Sequence, residues 1–220
     1  MIGTLLESPA VFHTLNRVLG LLNDVNFRCL QKALSPQADD WILDVGCGTG
    51  RYARRWRCRY VGVDSNERYL AFARRQFGGR FLRGDGAQLA IRDGRVDAAF
   101  CVGVLHHLDD AAVGRMVREM LRVCRIGGTV VLLEPLAPEA GDGLLRRGLA
   151  RLERGEFFRP FEALTGLLSG SVGAGLQVVR ERTRPFDLGL YWARVGGAAV
   201  TQPGPAIGWR DRQGDRACAS

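Results

Sequence analysis

Three glycines interrupt an apolar segment in the stretch WILDVGCGTGRYA, which runs from Trp41 to Ala53. At the carboxyl end of a strand, glycines permit unusual backbone dihedral angles and let a ligand approach the backbone with no Cβ in the way. We expect the basic residues after Gly50 to lie on a helix whose first N–H groups are free. The spacing of Gly46, Gly48 and Gly50 is therefore typical of a nucleotide-binding turn, although plain turns also carry it.

Two acids follow the next two apolar segments of the chain. Asp64 ends YVGVD twenty positions after Asp44, where a carboxylate can accept hydrogen bonds from both hydroxyls of a ribose. Asp85 lies in GDGAQL, where it can accept from an adenine amino group. The alternatives are a helix cap at Asp64 and a turn acid at Asp85. Dinucleotide dehydrogenases share the glycines and the first of these acids, but Asp44 and the Asp85 segment separate the chain from them.

Two adjacent histidines, His106 and His107, follow the fourth apolar segment in VLHHLDD. They are expected at the carboxyl edge of the sheet, where open α/β sheets bind ligands. Histidine exchanges a proton near neutral pH, so either ring could take a proton from a hydroxyl or an acidic carbon. A structural or capping role is the alternative for each. Glu134, at the end of the fifth strand, is a third candidate, and a salt bridge at a helix end or in a loop is its alternative.

Short apolar runs alternate with helical segments, which predicts a parallel sheet covered on both faces. Apolar spacing predicts one or two helices between Pro9 and Leu34, and helices at Glu67–Gln76 and Ala111–Cys124. Gly127 and Gly128 are expected to cap the last of these. The predicted strands are Trp41–Val45, Tyr60–Val63, Arg80–Arg83, Val96–Val102, Thr129–Leu133, Leu176–Thr183 and Leu188–Val195.

Composition indicates one domain without a strong polyanion signal. The net charge is +8, but only Lys32 of the 31 basic residues is a lysine, so the arginine content can reflect coding bias. Arginines 51, 54, 55, 57 and 59 are interpreted as a solvated surface, with phosphate contact as the alternative. The six cysteines show no CxxC pattern, which favours reduced thiols and no metal site. With no targeting segment or membrane span in the sequence, we expect a cytoplasmic protein.

From Asp40 to Leu133 the chain resembles the class I S-adenosylmethionine-dependent methyltransferases, within them the type 11 group that includes ubiquinone and menaquinone methyltransferases. The resemblance rests on four motifs in order: ILDVGCGTG, VGVDSN, GDGAQLAIRDGRVDAAFCVGVLHHL and MLRVCRIGGTVVLLEP. It implies a Rossmann-like α/β fold with a seven-stranded sheet of order 3-2-1-4-5-7-6, strand 7 antiparallel, and helices on both faces. It also implies S-adenosyl-L-methionine as the cofactor, with S-adenosyl-L-homocysteine as its product.

The resemblance also implies roles for individual residues. Asp64 and Ser65 would bind the ribose, and Val102 would lie behind the sulfonium. The methionine part would be surrounded by Asp44, Gly46, Cys47, Gly48 and Gly50, and the adenine by Asp85, Gly86 and Ala87. We expect Cys47 to be a small turn residue rather than a nucleophile.

The same reading divides the chain into parts. We expect a methyltransferase domain over residues 1–200, with a helical cap at 1–38, a cofactor-binding core at 39–135, and an acceptor-side insert and hairpin at 136–200. The insert is expected to hold a helix at Leu144–Leu152 and an aromatic turn leading into another helix in FFRPFEALTGLLSG. Residues 201–220 show no periodicity and are expected to be a disordered tail.

The acceptor is expected to be a small aromatic, quinone-like or lipid-like molecule methylated at oxygen or carbon. Aromatic side chains that could line its pocket suggest this class, with core packing as the alternative for each: Phe12, Phe27, Phe157, Phe158, Phe161 and Trp192, together with Asn16. Two other functions stay open. One is a tRNA or rRNA methyltransferase, which is less favoured because the sequence shows no RNA-binding module. The other is a non-catalytic subunit that keeps the fold.

Overall fold

A computed structural model describes residues 20–139, 141–142, 156–181 and 187–196. Its seven strands are β1 (Trp41–Val45), β2 (Arg59–Asp64), β3 (Arg80–Arg83), β4 (Val96–Val102), β5 (Cys124–Pro135), β6 (Gln177–Glu181) and β7 (Leu188–Arg194). They form one sheet in the order β3-β2-β1-β4-β5-β7-β6. β7 is antiparallel to both of its neighbours, and the other pairings are parallel. The predicted fold class and strand order are therefore confirmed.

Helices cover both faces of this sheet. They are α1 (Gly20–Leu34), α2 (Glu67–Phe77), α3 (Asp110–Val123) and α4 (Phe161–Val172), with a 3-10 turn at Leu105–His107. Apolar residues of α3 and α4, among them Met116 and Leu164, pack on one face, and Phe27 and Leu30 of α1 pack on the other. Sheet residues buried on both sides explain why the strands read as continuous apolar runs. No helix within the described ranges is long and apolar enough to cross a bilayer.

The described part of the predicted helical cap lies against the sheet rather than above its edge. Phe27 of α1 packs in one apolar cluster with Ile42 of β1 and Phe100 of β4. The reason is the burial of that apolar face, which α1 provides for the centre of the sheet. The part of the predicted helical cap before Gly20, the helix predicted at Leu144–Leu152 and the tail predicted at 201–220 lie outside the described residues.

Two local predictions were wrong. The chain after Gly50 forms consecutive turns up to Arg55 instead of a helix, with Ala53 N donating to Gly50 O at 3.0 Å and Arg55 N donating to Tyr52 O at 3.0 Å. Only the eight residues 51–58 separate Gly50 from the first residue of β2, so little chain remains for a helix to cross back to the sheet. The bend therefore lacks the helix N-terminus that we expected.

The other correction concerns Gly127 and Gly128, which lie inside β5 and do not cap α3. That helix ends at Val123, and β5 begins at the next residue. Gly127 N donates to Val195 O at 2.8 Å, and Val195 N donates to Gly128 O at 2.9 Å. These glycines therefore allow β5 to join the sheet where its pairing with β4 shifts register, between Val96 and Ala98.

Gly128→Ala is expected to lower the free energy of unfolding by about 2 kcal/mol or more, since its Cβ would overpack rigid backbone. A Cβ there would lie 2.6 Å from Asp97 O and 2.8 Å from Arg125 O. Gly166→Ala is the matched control, because nothing lies within 4 Å of its Cβ position on α4. The control is expected to leave stability unchanged or to raise it by up to about 1 kcal/mol. Urea unfolding of both variants measures the difference, and equal midpoints would contradict the account.

Candidate functional site

The glycine bend after β1 is attached directly to the carboxyl end of β2. Gly46 N and Cys47 N both donate to Val63 O, at 2.8 and 3.1 Å. Gly48 N donates to Asp64 Oδ2 at 2.8 Å, and Asn66 N donates to Asp64 Oδ1 at 2.8 Å. The structure therefore brings the predicted turn and the predicted ribose acid together. Asp64 is half-buried, and the next residue, Ser65, is exposed.

Side chains of the protein itself require glycine at two positions of the bend. Gly46 has φ +75°, and a Cβ there would lie 2.4 Å from Val104 Cγ2. Gly50 also has φ +75°, and its Cβ would lie 2.8 Å from the ring of Phe81. Both values are far inside van der Waals contact, and both φ angles are unfavourable for other residues. The bend therefore packs closely against β3 and against the residues after β4.

A buried carboxyl lies at the end of β1. Asp44 is 2% exposed, and its Oδ2 accepts a hydrogen bond from the Tyr60 hydroxyl at 2.6 Å. Burial raises the pKa of Asp44 to about 7, although the Tyr60 hydroxyl and the charge of Arg51 oppose the shift. Burial, with the charges of Asp44 and Asp64, raises the pKa of Cys47 far above its usual range. A thiol held protonated in this way is not a nucleophile, which supports the structural interpretation of Cys47.

The predicted adenine segment forms a tight turn after β3. Asp85 is exposed, and its Oδ1 accepts a hydrogen bond from Ala87 N at 2.8 Å. Gly86 packs inward, where a Cβ would lie 2.9 Å from Val45 Cγ1 and 3.1 Å from Met116 Sδ. Asp85 therefore stabilises its own turn, the alternative role considered for it, and presents its carboxylate to solvent at the same sheet edge.

The carboxyl end of β4 carries a buried pair of side chains, His106 and Glu134. His106 is 4% exposed and Glu134 is 2% exposed. The Nδ1 atom of His106 contacts Oε1 of Glu134, the next-to-last residue of the neighbouring strand β5. Glu134 also accepts hydrogen bonds from the backbone N–H groups of Leu105 and His106 in the 3-10 turn. Glu134 therefore lies buried within a strand, not at a helix end or in a loop as its alternative supposed.

The other ring nitrogen of His106, Nε2, is buried and has no hydrogen-bond partner among the described residues. The ring stacks on Phe158, with centroids 4.7 Å apart and planes at 23°, and its centroid lies 4.1 Å from that of His107. His107 is exposed. The structure therefore distinguishes two neighbours that the sequence presented as equivalent. Val102, half-buried, precedes this turn at the end of β4.

Sequence reasoning missed Arg159, which lies after β5 in the chain. Its side chain holds that later segment against the 3-10 turn at Leu105–His107, called here the histidine turn. Its guanidinium donates to the carbonyls of Leu105 at 2.9 Å and Leu108 at 2.7 Å, and to Asp110 Oδ1 at 2.7 Å. In return, Phe157 N donates to His106 O at 2.9 Å. Arg159 precedes a proline in a stretch rich in aromatics, and no sequence signal separates it from the many other arginines.

The aromatic residues predicted to line an acceptor pocket divide between the two faces of the sheet. Phe157 and Phe158 lie at the histidine turn, and Phe161 stacks on Tyr191 on the same face, at 6.0 Å. Phe27 and Trp192 pack with the apolar cluster of the opposite face. Core packing therefore accounts for these last two, and Phe12 and Asn16 lie outside the described residues.

The arginines after the bend are largely occupied by aromatic rings of the same chain. The guanidinium carbon of Arg55 lies 4.2 Å from the Phe27 ring centroid, and that of Arg54 lies 5.4 Å from the Phe77 centroid. Cation–π contacts of this kind stabilise a surface without any partner. Their interpretation as surface residues fits this geometry. In the described part of the chain, no group of three or more His, Cys, Asp and Glu side chains could hold a metal ion.

An open α/β sheet with a glycine bend, acids at the ends of β2 and β3 and a histidine turn after β4 defines the class of nucleotide-cofactor enzymes with a Rossmann-like fold. Residues 43–132 match the family model described as a methyltransferase domain. A demethylmenaquinone methyltransferase from Deinococcus radiodurans is 33% identical over 177 residues, which cover 74% of this chain and 69% of that protein. The chain belongs to the S-adenosylmethionine-dependent methyltransferase family, as the resemblance implied.

Other relatives match over a shorter span. An uncharacterized methyltransferase from Mycobacterium sp. (strain KMS) is 41% identical over 95 residues, covering 41% of this chain and 37% of that protein. The chain thus spans little more than a third of that relative. The fold resembles a solved geranyl diphosphate C-methyltransferase from Streptomyces coelicolor, with a TM-score of 0.63, 16% identity and 80% coverage of both chains.

The cofactor of this family is S-adenosyl-L-methionine, and the residues present fit it. A half-buried carboxylate at the end of β2 lies beside the glycine bend. The backbone between that bend and His106 is open at Gly103, where a Cβ would meet only the His106 ring, at 3.8 Å. The unpartnered Nε2 of His106 lies at this same edge. A carboxylate can accept hydrogen bonds from ribose hydroxyls, and bare backbone lets a nucleoside approach closely.

Without cofactor, Asp44→Asn is expected to become more stable relative to the wild type as the pH rises from about 4 to 7. The pKa of Asp44 rises from 3.8 to about 7 in the folded state, so ionisation opposes folding as the pH rises from about 4 to 7. The wild type should lose up to about 4 kcal/mol of unfolding free energy over this range relative to Asp44→Asn, with a plateau above it. Urea unfolding between pH 4 and 8.5 measures the difference.

The matched control for this prediction is Asp39→Asn. The side chain of Asp39 is 95% exposed, so its replacement measures the effect of removing a surface carboxylate. A stability difference between wild type and Asp44→Asn that does not change with pH would show that Asp44 ionises freely in the folded protein.

Proposed function

We propose that this chain is a methyltransferase that transfers a methyl group from S-adenosyl-L-methionine to oxygen or carbon of a small aromatic, quinone-like or lipid-like molecule. The observation that carries the proposal is the buried His106 at the end of β4, whose Nε2 has no partner among the described residues. A buried nitrogen without a partner is unfavourable unless a ligand group meets it. An acceptor that gives up a proton during attack supplies such a group.

The residues assigned to the cofactor lie along the edge of the sheet between β3 and β4. When bound, S-adenosyl-L-methionine supplies an electrophilic methyl group on a sulfonium. Asp64 would accept from the ribose hydroxyls with the remaining lone pairs of its carboxylate, and Ser65 lies beside it. Val102 would lie behind the sulfonium. The methionine part would contact Asp44, Gly46, Cys47, Gly48 and Gly50, and the adenine would contact Asp85, Gly86 and Ala87.

The chain's contribution to the reaction is orientation, exclusion of water and removal of one proton. The cofactor would supply the methyl carbon to an electron pair of the acceptor oxygen or carbon, and its sulfur would keep the electrons of the carbon–sulfur bond. The acceptor proton passes to His106 Nε2. Phe158 stacks on the imidazole and shields it from water. Exclusion of water matters here, because an in-line displacement depends mainly on alignment in a dry site.

The acceptor class is supported by the surroundings of the histidine. Phe157 is 39% exposed beside the turn, and Phe158 already stacks on His106, so apolar surface is available to a planar or hydrocarbon acceptor. The Deinococcus relative is named for demethylmenaquinone, and the Streptomyces structure contains geranyl diphosphate. Both names agree with an apolar acceptor, and neither fixes which one this chain uses.

The direct test is an acceptor panel with methyl-labelled S-adenosyl-L-methionine. The panel contains demethylquinones, phenols, fatty acids and tRNA, and labelled product is identified by mass spectrometry. We expect methyl transfer to a small apolar acceptor and none to tRNA. Label in tRNA, with an affinity that falls steeply with salt, would favour the RNA alternative. Cofactor binding measured by calorimetry without turnover on any acceptor would favour a non-catalytic subunit.

His106→Gln is expected to lower kcat about 10²- to 10⁴-fold on the acceptor found, since proton removal by a positioned base contributes this much. The KM for S-adenosyl-L-methionine should change little, because the ring lies on the acceptor side of the site. His107→Gln is the neighbouring control and should lower kcat less, since its ring is exposed. Steady-state kinetics of both variants decides between the two histidines. A larger loss at His107 would assign the base there.

Asp64→Ala is expected to weaken binding of S-adenosyl-L-homocysteine by about 10- to 100-fold, because charged hydrogen bonds to the ribose are lost. The loss of loop contacts to Gly48 and Asn66 could weaken binding too, so the 2′-deoxy analogue is measured in parallel by calorimetry. Wild type should prefer the ribose form, and Asp64→Ala should lose that preference. The same preference in both proteins would contradict the ribose role. Asp39→Ala is the exposed control.

A further inference from the structure

Four hydrogen-bonding groups of one short segment contact the Glu134 carboxylate. Its Oε2 accepts from Val104 N and Leu105 N, each at 3.1 Å. Its Oε1 accepts from His106 N at 3.0 Å and is also contacted by His106 Nδ1. A carboxylate offers about four lone-pair sites on its two oxygens. All four lone-pair sites of Glu134 are therefore used by the histidine turn and by Val104, which directly precedes it.

This set of partners favours one direction for the hydrogen bond to the ring. Three of the partners are backbone N–H groups, which can only donate, so both oxygens of Glu134 act as acceptors. When His106 also donates, from Nδ1, one carboxylate accepts all four contacts with its four lone-pair sites. In a neutral imidazole one nitrogen carries the proton and the other a lone pair, so the lone pair then lies on Nε2.

Two other titratable side chains near Glu134, those of Cys101 and Tyr191, do not take the proton of the His106 ring. Burial, followed by the charge of Glu134, raises the pKa of Cys101 on β4 well above its usual range. Burial likewise raises the pKa of Tyr191 on β7 to about 12, with the charge of Glu134 adding to the shift. Both side chains therefore stay protonated. Among the described residues, the His107 ring lies against the His106 ring, and the Arg159–Asp110 ion pair lies at the same turn.

We propose that Glu134 is a positioning residue that holds His106 in the Nδ1–H tautomer, with the Nε2 lone pair directed toward the methyl acceptor. This proposal rests on the proposed function for its catalytic consequence. As the acceptor proton moves to Nε2, the ring becomes an imidazolium whose Nδ1–H remains bonded to the Glu134 carboxylate. The proton then leaves Nε2 to water after product release, which restores the neutral ring.

The substitution Glu134→Gln tests the proposal because it keeps the shape of the side chain but replaces one acceptor oxygen with an NH2 donor. With one oxygen, Glu134→Gln cannot satisfy three backbone donors and the ring N–H together. Its amide would donate to Nδ1, and the ring proton would move to Nε2. Glu139→Gln is the matched control, because Glu139 lies on the same segment after β5 and pairs with Arg180 at 2.6 Å, away from the histidine.

The first measurement is the 15N spectrum of the imidazole rings, which separates protonated from bare ring nitrogens without any substrate. The chain has three histidines, and His106→Gln identifies the signal of interest. We expect a protonated Nδ1 and a bare Nε2 in the neutral wild-type ring and in Glu139→Gln, and the reverse in Glu134→Gln. A wild-type His106 in the Nε2–H tautomer overturns the proposal, even if Glu134→Gln does not fold.

The second measurement is the kinetics of methyl transfer with the acceptor found. Glu134→Gln should lower kcat about 10²-fold or more with little change in the KM for the cofactor, and should shift the pH profile of kcat, since the base is in the wrong tautomer. A purely structural role would leave the tautomer and the pH profile unchanged, and that result overturns the proposal. If wild type transfers no methyl group, the proposed function fails, while the spectrum still decides the tautomer.

Discussion

The pairing of β1 with β4 at the centre of the sheet is the constraint on which the site depends. Since both strands end at the same edge, the bend after β1 and the turn after β4 come into contact, and Gly46 meets Val104 with no room for a Cβ. The acids after β2 and β3 then lie on one side of this contact and the histidine turn on the other. The two sides of the candidate site are thus held in register by backbone packing at the edge where open α/β sheets bind ligands.

Much of the fold could be predicted because its signals are local. The buried strands are continuous apolar runs, and the acids follow them directly, so β1, β3 and β4 were predicted with their observed bounds. The sheet order came from the resemblance and not from periodicity. The errors arose where a local signal has two meanings. Gly127 and Gly128 resemble a helix cap, but the register shift that needs them is a property of pairing with β4, which lies about thirty residues away in the chain.

The candidate site was only partly predictable for a related reason. Its position after β4 follows from the motif, but the difference between His106 and His107 depends on which ring turns toward Glu134, and this is set by tertiary contacts. Glu134 could be named as a candidate, yet its bonds to successive N–H groups follow from the 3-10 turn and from the neighbouring strand. Arg159 could not be found at all, because most of its partners are main-chain carbonyls, which leave no trace in residue types, and its acidic partner Asp110 is 49 residues away in the chain.

The hydrogen bonds of Arg159 also affect how substrate specificity can change in such a fold. The proposed cofactor side of the site is built from the ends of β1, β2 and β3, whereas the wall beside the imidazole comes from a later piece of chain that is attached mainly through main-chain oxygens. Attachment of that kind is indifferent to most side chains on the attached piece. Residues around Phe157 and Phe158 can therefore be exchanged to suit a different acceptor while the anchoring guanidinium and the rest of the machinery stay as they are, so one scaffold can give rise to several specificities.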